Sequence, residues 1–347
     1  MLRLIAGARL LAYVHPMSKS SIAERFFSER ELNNELGISS DDGEMGATSL
    51  WEWLEALQTW TPTKRWLPLD GTYFRGQSDS SFGLTNSLYR TIRQSKAGRV
   101  GEADLAEAEQ RAILAAREEG IGRKMTDGEL LAVLQHHQMP TRLIDVSAAS
   151  KEALYFAVES NDGTDGRLFL LHPHAADRQA LRAPTPFVFD KESGVSAEKQ
   201  LDVWRAVPWT GAVRGEKQSV AEWTARVAVI SDYALDPRMR AQLGHFLVGG
   251  IHARYRGMKM TIGGHNVPVE EAADITTLSI HFPSFTKNSA AHQSWPASGW
   301  SIRVKASWKP FLRDRLKSDV EPIDLDAMYP PILEAKRLVL RRTRNTL

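Results

Sequence analysis

The sequence predicts an α+β protein. Segments with the 3.6-residue period of amphipathic helices and short apolar runs of strand length follow one another along the chain. No glycine-rich strand-to-helix turn of the Rossmann type joins them. The composition, 42% hydrophobic and 25% charged, is that of an ordinary globular chain.

In order, a short helix is expected within 21–34. Thr48 and Ser49 offer an N-cap to a helix over 50–59, where Trp51, Leu54, Leu57 and Trp60 recur at helical spacing. A loop bracketed by Pro62 and Pro68 leads to a strand at 72–77. Residues 102–119 form a charged helix with Leu105, Ala108, Ala112 and Ala115 as its inward stripe, ended by Gly120 and Gly122. A second helix over 127–138, capped by Thr126 or Asp127, stops before Pro140. A strand at 142–147, a helix at 150–159 and a buried strand at 167–172 follow. Further strands are expected at 203–209, 226–231, 245–248 and 301–305, with helices at 308–317 and 331–342. The stretches 176–224 and 249–299 show little period and read as irregular insertions that shape or cover a cleft.

Bulk numbers restrict function. The formal charge of +2 over 347 residues gives no global field for nucleic acid. The absence of cysteine rules out a disulfide framework, a thiolate metal site and a cysteine nucleophile, and fits a cytoplasmic protein. No run approaches the roughly 20 apolar residues that span a bilayer. The basic, apolar start, broken by Arg9, reads as an upstream extension before Met17. His252, His265, His281 and His292 match no compact ligand spacing, so no metal is expected. Trp204, Trp209 and Trp223 read as core or lid residues.

The chemistry concentrates in two segments. In Thr72-Tyr73-Phe74-Arg75-Gly76-Gln77, strand alternation puts Tyr73, Arg75 and Gln77 on one face and Phe74 on the core side. Arg75 presents a planar fork of donors suited to phosphate or carboxylate, with a structural ion pair as the alternative. Gly76 lets a ligand or a neighbouring backbone come close. Ser87 and Arg90 in the next block read as a helix start and a solvated arginine. In the second segment, from His136 to Asp145, the adjacent histidines point about 100° apart on a helix and cannot easily share one metal. Ser147 is placed to cap the next helix. Asp145 is placed for an ion pair or a ribose hydroxyl.

These blocks, FRGQ, then L-x-x-S-L-x-R, then QHH-x-x-PTRL-x-D followed by ALYFA, resemble the FRG domain. A later block, 236–246, is similar to that family's "PR, AQ, G, F" element, and the likeness runs over about residues 48–337. Asn86, Val146 and Ser150 depart from the usual proline, tryptophan and proline. The resemblance implies residues 1–47 as an N-terminal extension with a short helix, and 48–347 as an FRG domain. It implies a bacterial defence or toxin-type effector, with a protein target or an antitoxin or immunity partner.

The motif order is also similar to ADP-ribosyltransferases, which implies mainly antiparallel small sheets forming a cleft with flanking helices. In that likeness Tyr73-Phe74-Arg75-Gly76 stands at the NAD-holding aromatic-Arg-Gly, and Asp145-Val146-Ser147 at a Ser-Thr-Ser strand. Gln242 stands where a catalytic glutamate is usual. The implied substrate is NAD. Arg75 would hold the pyrophosphate, Asp145 or Gln242 the ribose hydroxyls, and His137 would carry a proton. Tyr73 or Tyr155 would border the nicotinamide, and Gln77, Arg142 and Ser147 would line the ligand. Two other readings are a nucleotide-sensing or protein-interaction module without catalysis, and a nucleic-acid binder. The latter would use the basic Arg337, Arg341, Arg342 and Arg344 with Trp295 and Trp300.

Overall fold

The computed structural model describes residues 21–58, 71–122, 125, 127–174, 227–230, 241–251, 260–283 and 295–329. The start before residue 21, the Pro62–Pro68 loop, Thr126, the strand at 203–209, residues 236–240 of the late block and the helix at 331–342 lie outside them. So do His252, His292, Trp204, Trp209, Trp223 and the four C-terminal arginines.

Helix α1 (Ile22–Ser28) is capped by Ser21 and α2 spans Glu44–Gln58. Strand β1 (Tyr73–Gln77) precedes α3 (Ser87–Ser95), α4 (Glu102–Glu118) and α5 (Asp127–His136). Strand β2 (Ile144–Ser147), α6 (Ser150–Val158) and β3 (Gly166–Pro173) follow, then β4 (Val227–Ile230) and β5 (Gly244–Gly249). The hairpin β6 (Thr261–Ile262) and β7 (His265–Asn266) leads to α7 (Val269–Ile275), β8 (Ile280–His281) and β9 (Ala297–Val304). A 3₁₀ turn, α8 (Lys309–Lys317) and α9 (Leu325–Met328) complete the described chain.

Seven of the described strands form one sheet in the order β4-β5-β2-β1-β3-β9-β8, and β6 and β7 pair apart from it, in place of the several small sheets expected. Neighbours are antiparallel except β8 and β9. The long pair β3 and β9, in register over the eight residues of each, joins the two halves. Both faces of β3 are covered, which explains its unbroken apolar run. Leu168 and Leu170 face a core built with α2, α6 and α8, while Phe169 and Leu171 face one built with α1 and α7.

Four local expectations shift. The first helix ends at Ser28, well short of 34. Helix α2 starts at Glu44, six residues before the expected start at Leu50, and Ser49 bonds back to the Met45 carbonyl inside it. The buried stripe of α4 is Leu105, Glu109, Ile113 and Ala116, because Glu109 turns inward to meet a buried arginine. The stretch 249–299 holds a helix, a hairpin and the sheet-edge strand β8 in its described part.

Candidate functional site

Strands β1 and β2 pair at a single register position, Phe74 with Ser147. Past it they part, and a cleft of about 590 Å³ opens there, lined by Arg75, Gly76, Gln77, Asp145, Val146 and Ser147. The parting leaves the Asp145 carbonyl to a side chain: Arg75 Nη1 donates to it at 2.6 Å. Helix α6 runs beneath β1. A Cβ on Gly76 would sit 1.8 Å from the Ala153 carbonyl oxygen, so this glycine admits the helix backbone.

Arg75 is 16% exposed, and its nearest carboxylate, Asp145, is 58% exposed and 3.9 Å away. Arg75 Nε is buried with no hydrogen-bond partner among the described residues, and so is Gln77 Oε1. Burial lowers the Arg75 pKa, against the pull of Asp145. Asp145 is held by Gln135, whose amide donates to its carboxylate at 2.8 Å. Arg90 also lines the cleft. Much of its side chain is exposed, but its guanidinium is turned in to the Thr85 carbonyl. Burial first, and the Arg75 charge second, push its pKa down to about 10, so it stays charged at neutral pH. Arg90 is thus a cleft residue rather than a merely solvated one.

Ser87 sits at the first turn of α3, where its hydroxyl donates to the Thr141 carbonyl and accepts the Thr141 amide. This ties the two motif segments together. Ser147 accepts the Ala149 amide and donates to the Gln242 carbonyl at 2.8 Å, while Ala149 is the cap of α6. The Gln242 amide donates to the Met328 carbonyl at 2.9 Å, fastening α9 to the cleft wall. His245 lies in the wall with its ring 5.0 Å from that of Tyr73, and burial lowers its pKa to about 4. The outer wall is apolar and aromatic: Phe82, Met139, Phe156 and Tyr329. Glu159, just past α6, supplies a second carboxylate.

Of the residues expected at a site, Arg75, Gln77, Asp145, Ser147 and Gln242 come together. Four do not line the cleft. Arg142 is fully buried, paired with Glu109 and Glu102 at 2.6 Å each. Burial opposes its charge, but the two carboxylates outweigh this and hold its pKa above the ordinary value. Tyr73 packs into the core behind the cleft, Tyr155 is buried against Phe156, and His137 is exposed beyond the end of α5. Trp295 and Trp300 are buried, so neither offers a face to a nucleic-acid base. Among the described residues no three histidine, aspartate or glutamate side chains gather as a metal-binding group, and no helix is long and apolar enough to cross a membrane.

Residues 70–166 match the family model of the FRG domain. That span runs from just before β1 to the first residue of β3 and carries Arg75, Arg90, Asp145 and Glu159. The Gln242 and His245 wall falls outside it. No curated protein and no solved structure matches the chain.

Proposed function

We propose that the cleft between β1 and β2 binds a phosphorylated nucleotide, with NAD as the leading ligand, in an FRG-domain effector of bacterial defence or toxin type. The observation that carries this reading is the pair of guanidiniums. Arg75 and Arg90 face one cleft close enough to depress Arg90, and the one carboxylate among the described residues that acts on both is half-exposed and 3.9 Å from Arg75. Two guanidiniums that share one half-exposed carboxylate favour an anionic ligand beside them, and planar guanidiniums match phosphate oxygens in pairs. The volume falls within the roughly 300–1,000 Å³ common for small-molecule sites. The apolar rim of Phe82, 52% exposed, and Met139, 47% exposed, suits a planar ring better than a bare phosphate. Gln138 on the wall and Leu243 beside it hold positive φ angles of 62° and 44°, backbone strain of the kind that collects at ligand sites.

The likeness of the motif order to ADP-ribosyltransferases supports NAD cleavage or ADP-ribosyl transfer as the activity. A sensing module without catalysis is the second reading, favoured by the Gln242 amide, which is committed to Met328. Calorimetric titration with NAD, ADP-ribose, ATP and inorganic phosphate tests the ligand class. Wild type should bind a nucleotide well above phosphate. Arg75→Ala and Arg90→Ala should each weaken binding about 10- to 100-fold, the range for a lost charge-assisted contact. Unchanged affinity in both variants would move the ligand elsewhere.

A further inference from the structure

We infer that Glu159 is the catalytic carboxylate of the cleft, acting as general base on a water that attacks the ribosyl carbon of NAD; this rests on the NAD reading above.

Glu159 lines the cleft as an exposed residue and belongs to none of the ion pairs or side-chain hydrogen bonds of the described residues. This isolation is notable because two cations of α8 bond to the carbonyls of the residues on either side of it. Lys309, fully buried, spends its ammonium on the carbonyls of Ser78, Ser160 and Asn161 at 2.7, 2.9 and 2.9 Å. Arg313 spends one arm on the Val158 carbonyl and both on Asp162. The backbone on each side of Glu159 is therefore pinned, and its own amide donates to the Tyr155 carbonyl at 2.8 Å. The carboxylate itself is left with no cation among the described residues. The backbone is thus fixed while the carboxylate stays free to accept a proton.

The two ends of the cleft differ in charge. Asp145 acts on both guanidiniums, whereas neither guanidinium acts on Glu159, whose surroundings push its pKa up by desolvation alone. Phosphates held by Arg75 and Arg90 thus leave the other end for the ribosyl bond. There the glycosidic C1′–N bond breaks, and its electron pair goes to the nicotinamide nitrogen, which leaves neutral. The water oxygen bonds to C1′ and its proton passes to Glu159, which later returns it to solvent. The products are ADP-ribose, nicotinamide and one proton. The negative carboxylate also favours the cationic sugar of the transition state.

The test measures NAD binding by calorimetry and nicotinamide release by chromatography on the full chain, for wild type, Glu159→Gln and Asp145→Asn. The expected result is that wild type binds and cleaves NAD. Glu159→Gln should bind within about threefold of wild type and melt no lower than it, yet release nicotinamide about 100-fold more slowly, at the low end for a lost acid–base group. Glu159→Asp should recover part of the rate, because the carboxylate and not its length is the requirement. Full turnover in Glu159→Gln, or loss confined to Asp145→Asn, overturns the assignment while the ligand reading stands. Binding without cleavage by wild type does the same. No NAD binding by wild type removes the ligand reading and the assignment together.

Discussion

Arg75 and Arg142 show how two arginines of neighbouring motifs reach opposite ends. Arg142 has no exposure and two carboxylates at 2.6 Å; Arg75 has one, at 3.9 Å and half in water. Removing one partner from a buried pair strands the other charge. Glu109→Leu should therefore cost about 3–5 kcal/mol, read as a fall in the urea midpoint without change in slope. A loss below about 1 kcal/mol would mean that Glu102 alone neutralises Arg142. Nothing in PTRL-x-D separates these fates, because Glu102 and Glu109 come from a helix more than 30 residues earlier. Strand alternation put Arg75 and Gln77 on one face, and both line the cleft together with Asp145. Tyr73 shares that strand face but meets His245 and the core there. Phe156 and Glu159 were hidden because the rotation of α6 is decided by Gly76, in another strand.

At the scale of elements, the close crossing of α6 over β1 holds the cleft floor in place. Gly76 and Gly166 both admit α6 backbone, at Ala153 and Ala157. A methyl group at position 76 would fall on a carbonyl oxygen, which no rotamer can relieve, since the obstacle is main chain. Gly76→Ala should cost about 3 kcal/mol or more, at the top of the range for overpacking. It should also weaken nucleotide binding by shifting Arg75, with both effects measured by melting and calorimetry. Retained stability and affinity would show that the helix can rise off the sheet freely. The elements with strong periods, α4, α5, α6 and β3, were legible to within about two residues. The two-residue strands β6, β7 and β8 were not, since two residues carry no alternation. The start of α2 was misplaced because Thr48 and Ser49 look like caps, yet lie mid-helix.

For the whole molecule, a formal charge of +2 means that long-range repulsion has little say in stability, so individual groups decide its pH dependence. Arg167 and Arg303 join Glu24, Glu31 and Asp165 across α1, β3 and β9. Burial opposes the Glu24 charge, but both arginines outweigh it and lower its pKa. That stability is present above the ordinary glutamate value and lost only as pH falls through the lower folded one. Glu159 runs the other way: its raised pKa gives stability below the ordinary value, lost as pH rises through the folded one. His245 acts at milder pH. Its folded pKa of about 4 lies below the ordinary 6.5, so between these values the unfolded chain takes up a proton that the folded chain refuses. Its contribution is complete above 6.5 and falls with pH by about 1.4 kcal/mol per unit, or ~2 kcal/mol from pH 6.5 to 5. Urea denaturation of wild type and His245→Gln at pH 7.5 and 5.0 isolates this share, because the carboxylates are common to both. Wild type should lose about 2 kcal/mol more than the variant on acidification. Equal losses would mean that the imidazole protonates in the folded wall, and that the cleft carries a third positive charge at mildly acidic pH.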